Sequence, residues 1–171
     1  MNTYLSVPAQ DYKDFAPLLA RHEQAKARRS TWEDTWQDCY DYALPHSADF
    51  TKMTEAGRIR TDRLYDATAL DCVDQLAASM LGHLTPPWTQ WFGFKPGPDL
   101  SVAEAQALAP VLEDSAKIIQ SHFDRSNFSV EMHQCFLDLV VGGTAALYLE
   151  EAEPGSFSAF KFSAVPLADI V

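Results

Sequence analysis

The sequence predicts an α+β fold, mainly helical, in which about four helices are followed by a short β-hairpin. Up to about Val141, apolar residues recur at spacings of three and four, the period of a helix face. From about Thr144 the pattern changes to two short segments rich in aromatic and β-branched residues, "TAALYLEE" and "FSAFKFSAV". Between them "AEPGS" supplies a Pro-Gly turn. Helices first and strands last is the order of an α+β chain. Residues 1–143 are therefore read as a helical region, and residues 144–171 as the start of a β region that is cut short.

The first helix is expected from Asp11 to about Ala43, a stretch without glycine whose one proline, Pro17, stands near its start. Trp32, Trp36, Cys39, Tyr40 and Ala43 line one face. Asp34, Asp38 and Asp41 line another, which reads as a solvated acidic side. The helix ends near Leu44-Pro45. "HSADFTKMTEAGRIRTDR" has no apolar stripe and is expected to cross the surface as a loop. It carries Arg58, Arg60 and Arg63, either as a solvated loop or as a cluster whose planar forks pair with phosphates or with a neighbouring subunit's carboxylates. With the stripe of Asp34, Asp38 and Asp41 available on each copy, subunit contact is the more attractive partner for them.

Asp66 is the expected N-cap of a second helix whose apolar face is Leu70, Val73, Ala77, Met80, Leu81 and Leu84. Pro86-Pro87 stops it. "LTPPWTQWF" then places Trp88, Trp91 and Phe92 in a break that cannot be helical. These rings read either as a plug over the end of the Trp32 and Trp36 helix or as an interface anchor. Ser101 and Glu104 form the S-x-x-E box that starts a third helix, with Leu108, Val111, Leu112, Ile118, Ile119 and Phe123 on its stripe and a kink expected at Pro110. After a break at "RSNF", a fourth helix turns Val130, His133, Phe136, Leu137, Val140 and Val141 inward and stops at Gly142-Gly143.

A chain of 171 residues suits one domain and can bury a real core. Its net charge of −11 is uneven. Residues 1–70 hold 9 basic against 11 acidic side chains, leaving −2, whereas residues 71–171 hold 4 against 13, leaving −9. Such acidity disfavours non-specific wrapping of nucleic acid, which depends on Lys and Arg neutralising phosphates. The longest apolar run, near Leu139 to Leu149, is too short for a bilayer span, and the N-terminus has neither a basic n-region nor an apolar h-region. A cytoplasmic setting is expected. Cys39, Cys72 and Cys135 are odd in number and widely spaced, and are read as buried thiols. "VVGGTAAL" lacks both phosphate-binding spacings, no G-x-S-x-G elbow presents a serine, and His133 and Cys135 at i, i+2 face apart. No catalytic residue, cofactor or metal site is expected.

Three blocks, in order and at their intervals, carry a resemblance: "STWEDTWQDCYDYALP", "LYDATALDCVDQLAASMLGHLTPPWTQWF" and "SNFSVEMHQCFLDLVVGGTAALYLEE". Together, over roughly Arg28 to Leu167, they resemble the N-terminal part of the head-to-tail connecting, or portal, proteins of short-tailed bacteriophages. The resemblance implies a non-enzymatic subunit of a dodecameric ring at a capsid vertex of the virion, assembled in the host cytoplasm. Genomic DNA is packaged and ejected through such a ring, with capsid, scaffold, terminase and tail adaptor proteins as partners and no membrane. It further implies that this region is the outer, wing-like part of the subunit, that Trp32, Trp36, Trp88 and Trp91 are packing residues, and that Arg58, Arg60 and Arg63 are candidates for intersubunit pairs. The channel-lining helices of the family come after the region matched. A reading from another class, a free-standing helical adaptor that binds a protein through Trp88 and Trp91, stays open beside it.

Overall fold

The computed structural model describes residues 12–47, 49–52, 57, 61 and 64–170. Helix α1 (Tyr12–Ala43) comes first, followed by α2 (Thr68–Leu84), α3 (Val102–Arg125) and α4 (Phe128–Gly142). Strands β1 (Ala146–Glu151) and β2 (Phe160–Val165) pair antiparallel, from Ala146 opposite Val165 to Glu151 opposite Phe160. A 3-10 turn at Leu167–Asp169 closes the described chain. The mainly helical α+β order expected from the sequence is the one observed.

Local chemistry explains most of the boundaries. Ser101 Oγ accepts from Glu104 N while the Glu104 carboxylate accepts from Ser101 N, so the expected capping box starts α3. Gly143 ends α4 with a φ of 76°, a left-handed conformation that costs glycine little. Asp66 accepts from the backbone and side chain of Thr68, satisfying a free donor at the α2 entrance, although regular helix begins two residues later than Asp66. At the other end, Thr85 folds its hydroxyl back onto Leu81 O ahead of Pro86-Pro87. Helix α3 passes through Pro110 as one continuous element. Strand β2 begins at Phe160 rather than Phe157, because Ala152 and Ala159 close an eight-residue connection and leave Phe157 almost wholly exposed.

Helix α4 is the centre of the packing, against α2 on one side and against α1 and the hairpin on others. Its buried residues are Phe128, Cys135, Phe136 and Asp138. Val130, expected inward, is 72% exposed. The helix is enclosed by three elements rather than one, so the residues facing the gap between them stay wet whatever their polarity. Cys72, expected buried, is exposed, and Cys39 is half-buried; only Cys135 lies in the core.

Candidate assembly surfaces

Two clusters of aromatic side chains hold the elements in place, and they use different physics. In the first, Phe123 of α3, Phe128 of α4 and Trp91 stack with ring centroids 5.0 to 6.1 Å apart. Phe162 meets Phe123 and Phe128 edge-on at 5.4 and 5.1 Å, and Phe92 lies 5.6 Å from Phe123. Five rings from four stretches of chain thus share one apolar volume, and offset or T-shaped pairs add about 0.5–1.5 kcal/mol each to the burial term. This corrects one expectation. Trp91 and Phe92 plug the junction of α3, α4 and the hairpin, and their ring partners do not include Trp32 or Trp36. Trp88 is 75% exposed and takes no part.

The hairpin is fixed to this cluster by polar clamps. Asn127 donates to Phe162 O at 2.7 Å and accepts from Phe162 N at 2.9 Å, while Glu131 accepts from Ala164 N at 2.7 Å. These two side chains at i, i+4 satisfy the edge of β2 that β1 leaves open, in the place of a third strand. Ser126 Oγ accepts from Phe128 N, so each residue of "SNF" has its own task. Nothing in the sequence marks Asn127 or Glu131 as important, since their partners lie 33 to 35 residues away.

The second cluster is the crossing of α1 over the end of α4. Trp36 donates its indole N–H to Gly142 O at 3.1 Å, and Tyr40 donates to Asp138 Oδ1 at 2.8 Å. A side chain at Gly142 would run into Leu167 and press on the Tyr40 hydroxyl, so glycine is what leaves room for the Leu167 turn beside the crossing. Burial, then the bond to Asp138 and its charge, push the Tyr40 hydroxyl well above the usual tyrosine range. Burial also raises the Asp138 carboxyl, with the Tyr40 bond opposing. Phe50 packs on Trp36 and Tyr40, and buried Gln37 accepts from Phe50 N and Thr51 N, tying the chain after α1 to the helix. Arg29 lies 6.0 Å from the Trp36 and Phe50 rings and donates to the carbonyls of Ala168, at 2.7 Å, and Ile170. Its Nε is 3.0 Å from Glu33 Oε1, close enough for charge attraction but badly aimed for a hydrogen bond. Chemically the crossing is a lock: it pairs a tyrosine held protonated with a buried acceptor.

The surfaces outside these clusters are where the remaining sequence candidates fall. Trp32 is 59% exposed, because the body of the protein meets α1 along the line of Arg29, Glu33, Trp36 and Tyr40 and Trp32 stands to one side of that line. Asp34 and Asp38 are exposed on α1. Asp41 is engaged, accepting from Gln37 and pairing with Lys52 at 2.7 Å. Arg58, Arg60 and Arg63 lie outside the described residues. His133 pairs with Asp74 at 3.5 Å across α4 and α2. Among the described residues, no group of three or more His, Cys, Asp or Glu could hold a metal ion, and no helix is long and apolar enough to cross a membrane.

The interlocked helices leave Trp32, Trp88, Asp34 and Asp38 exposed on the surface. The family model of bacteriophage head to tail connecting proteins matches residues 16–171, and the chain belongs to that family. A curated relative described as "Probable portal protein", from Bordetella phage BPP-1, is 28% identical over 131 residues, which is 75% of this chain. The match spans 23% of that relative's length. Family membership agrees with a structural role at the phage head-tail connection.

Proposed function

We propose that the chain is the outer, wing-like part of a portal subunit, repeated around a dodecameric ring at one capsid vertex. The observation that carries this reading is the connector-family match over residues 16–171. The fold supports it physically, because two separate clusters hold one rigid shape while large apolar side chains stay on the outside for neighbours to cover. In the ring, DNA enters and leaves through the assembled channel, and capsid, scaffold, terminase and tail adaptor proteins dock around it; the subunit itself catalyses nothing. It is built in the host cytoplasm and works in the virion.

In this reading Arg58, Arg60 and Arg63 of one copy face the exposed Asp34 and Asp38 of the next. Exposed pairs are screened within about 8 Å at physiological ionic strength, so ring stability should fall as salt rises. Native mass spectrometry of the protein taken from virions tests both statements: a large closed ring that loosens with salt is expected. Recovery only as a monomer under assembly-permissive conditions would overturn the reading. The adaptor alternative has the exposed Trp88 in its favour, whereas Trp91 is half-buried and stacks on Phe128 within each copy.

A further inference from the structure

Helix α1 is about 48 Å long at 1.5 Å per residue, and only its second half is packed. From Phe15 to Arg28 every residue except Ala25 is exposed. The face that buries Tyr40 and half-buries Trp36 nevertheless continues along this overhang. Phe15, Leu18 and Leu19 recur on it at helical spacing, each more than half exposed. Three large apolar side chains on a bare helix are costly to leave in water, so a partner is called for.

A second unpaired stripe lies on α3. Val111 and Ile118, seven residues apart, are about 60% exposed, and Leu108 is 40% exposed beside them. The helical segments that carry the stripes differ in net charge, and on α3 the acid beside the stripe is Asp114. Residues 15–28 carry Arg21, Lys26 and Arg28 against Glu23, a net of +2, whereas residues 102–125 carry four acids against Lys117 and Arg125, a net of −2. Two different, mutually complementary surfaces on one molecule make a head-to-tail contact, the kind that closes into a ring when the rotation allows.

We propose that the α1 overhang of one copy packs on the Leu108, Val111 and Ile118 face of α3 in the next copy. The contact rests on the ring reading and gives it a specific surface. Lys26, seven residues beyond Leu19 on the same side of α1, approaches Asp114, which stands three residues from Val111 and four from Ile118 on the same side of α3.

The test mixes isotopically labelled and unlabelled copies of the chain and couples lysines to carboxylates with a zero-length carbodiimide reagent. Links are read by mass spectrometry and association by sedimentation. Mixed-isotope links from Lys26 to Asp114 are expected. The double variant Leu18→Glu, Leu19→Glu should raise the association midpoint at least tenfold without moving the thermal midpoint, because both side chains are exposed within a single copy. Association unaffected by the variant, with links elsewhere, overturns this contact and leaves the ring reading standing. Lys26 links found only within one copy also overturn it. Absence of association both here and for the virion-derived protein removes the ring reading as well.

Discussion

The aromatic junction of α3, α4 and the hairpin and the crossing of α1 over α4 do the same job by different means. At the junction, Trp91, Phe123, Phe128 and Phe162 hold together through apolar burial and ring geometry. At the crossing, Trp36 and Tyr40 each give a donor to a named acceptor, and Gly142 leaves room for Leu167 beside them. Burial is strong but non-directional, so it supplies stability without fixing an angle. Hydrogen bonds contribute only about 0.5–1.5 kcal/mol net each, yet they are directional and costly to leave half made. The difference teaches that the long helix, the element that reaches furthest from the body, is anchored for direction more than for strength.

The largest effect is expected where burial acts alone. Phe128→Ala removes a ring shared by Trp91, Phe123 and Phe162 and should cost about 3–5 kcal/mol in urea unfolding. At the crossing, Gly142→Ala forces Leu167 or Tyr40 to move and should cost about 1–3 kcal/mol. Hydrogen exchange should then show faster opening of the packed half of α1 while the aromatic junction keeps its protection. Equal loosening of both regions would mean that the two clusters form one cooperative unit.

A finer probe is the pH dependence of the crossing. The Asp138 carboxyl is raised in the folded state, so through the window between its unfolded and folded values the folded protein binds more protons than the unfolded chain. The stability this group contributes is therefore greatest below its unfolded value and falls as pH rises through the folded one. Asp138→Asn keeps an acceptor for Tyr40 without the charge. It should match or exceed the parent in stability at pH 7 and lose that advantage on acidification, in unfolding curves at several pH values. A variant much weaker at pH 7 would show that the negative charge itself is needed by the lock. Smallest of all, Trp88→Ala should change stability by less than about 0.5 kcal/mol, since the ring is mostly in water. A larger loss in isolated copies would place Trp88 in the core after all.

Much of this was legible along the chain because it depends on neighbours in sequence. The capping box at Ser101 and Glu104, the stop at Pro86-Pro87, the left-handed Gly143 and the change of pattern after it are local events, and the structure has them where the residues put them. The family could be recognised for the same reason, as ordered blocks of such signals. The assembly candidates were less legible. Trp32 and Trp36 sit four residues apart on one face, yet one is in water and the other half-buried and bonded to Gly142. Trp88 and Trp91 divide in the same way.

By itself, then, the sequence determined four helices, the cap that starts α3, the glycine that ends α4 and a hairpin after them, because periodicity and capping act within a few residues of chain. Only the tertiary structure decided which tryptophan of each pair is covered, that Asn127 and Glu131 finish the open edge of β2, and that Asp138 is buried against Tyr40. Those outcomes depend on which side of a helix the body of the protein meets and on partners 33 to 98 residues away, distances over which no local pattern carries information.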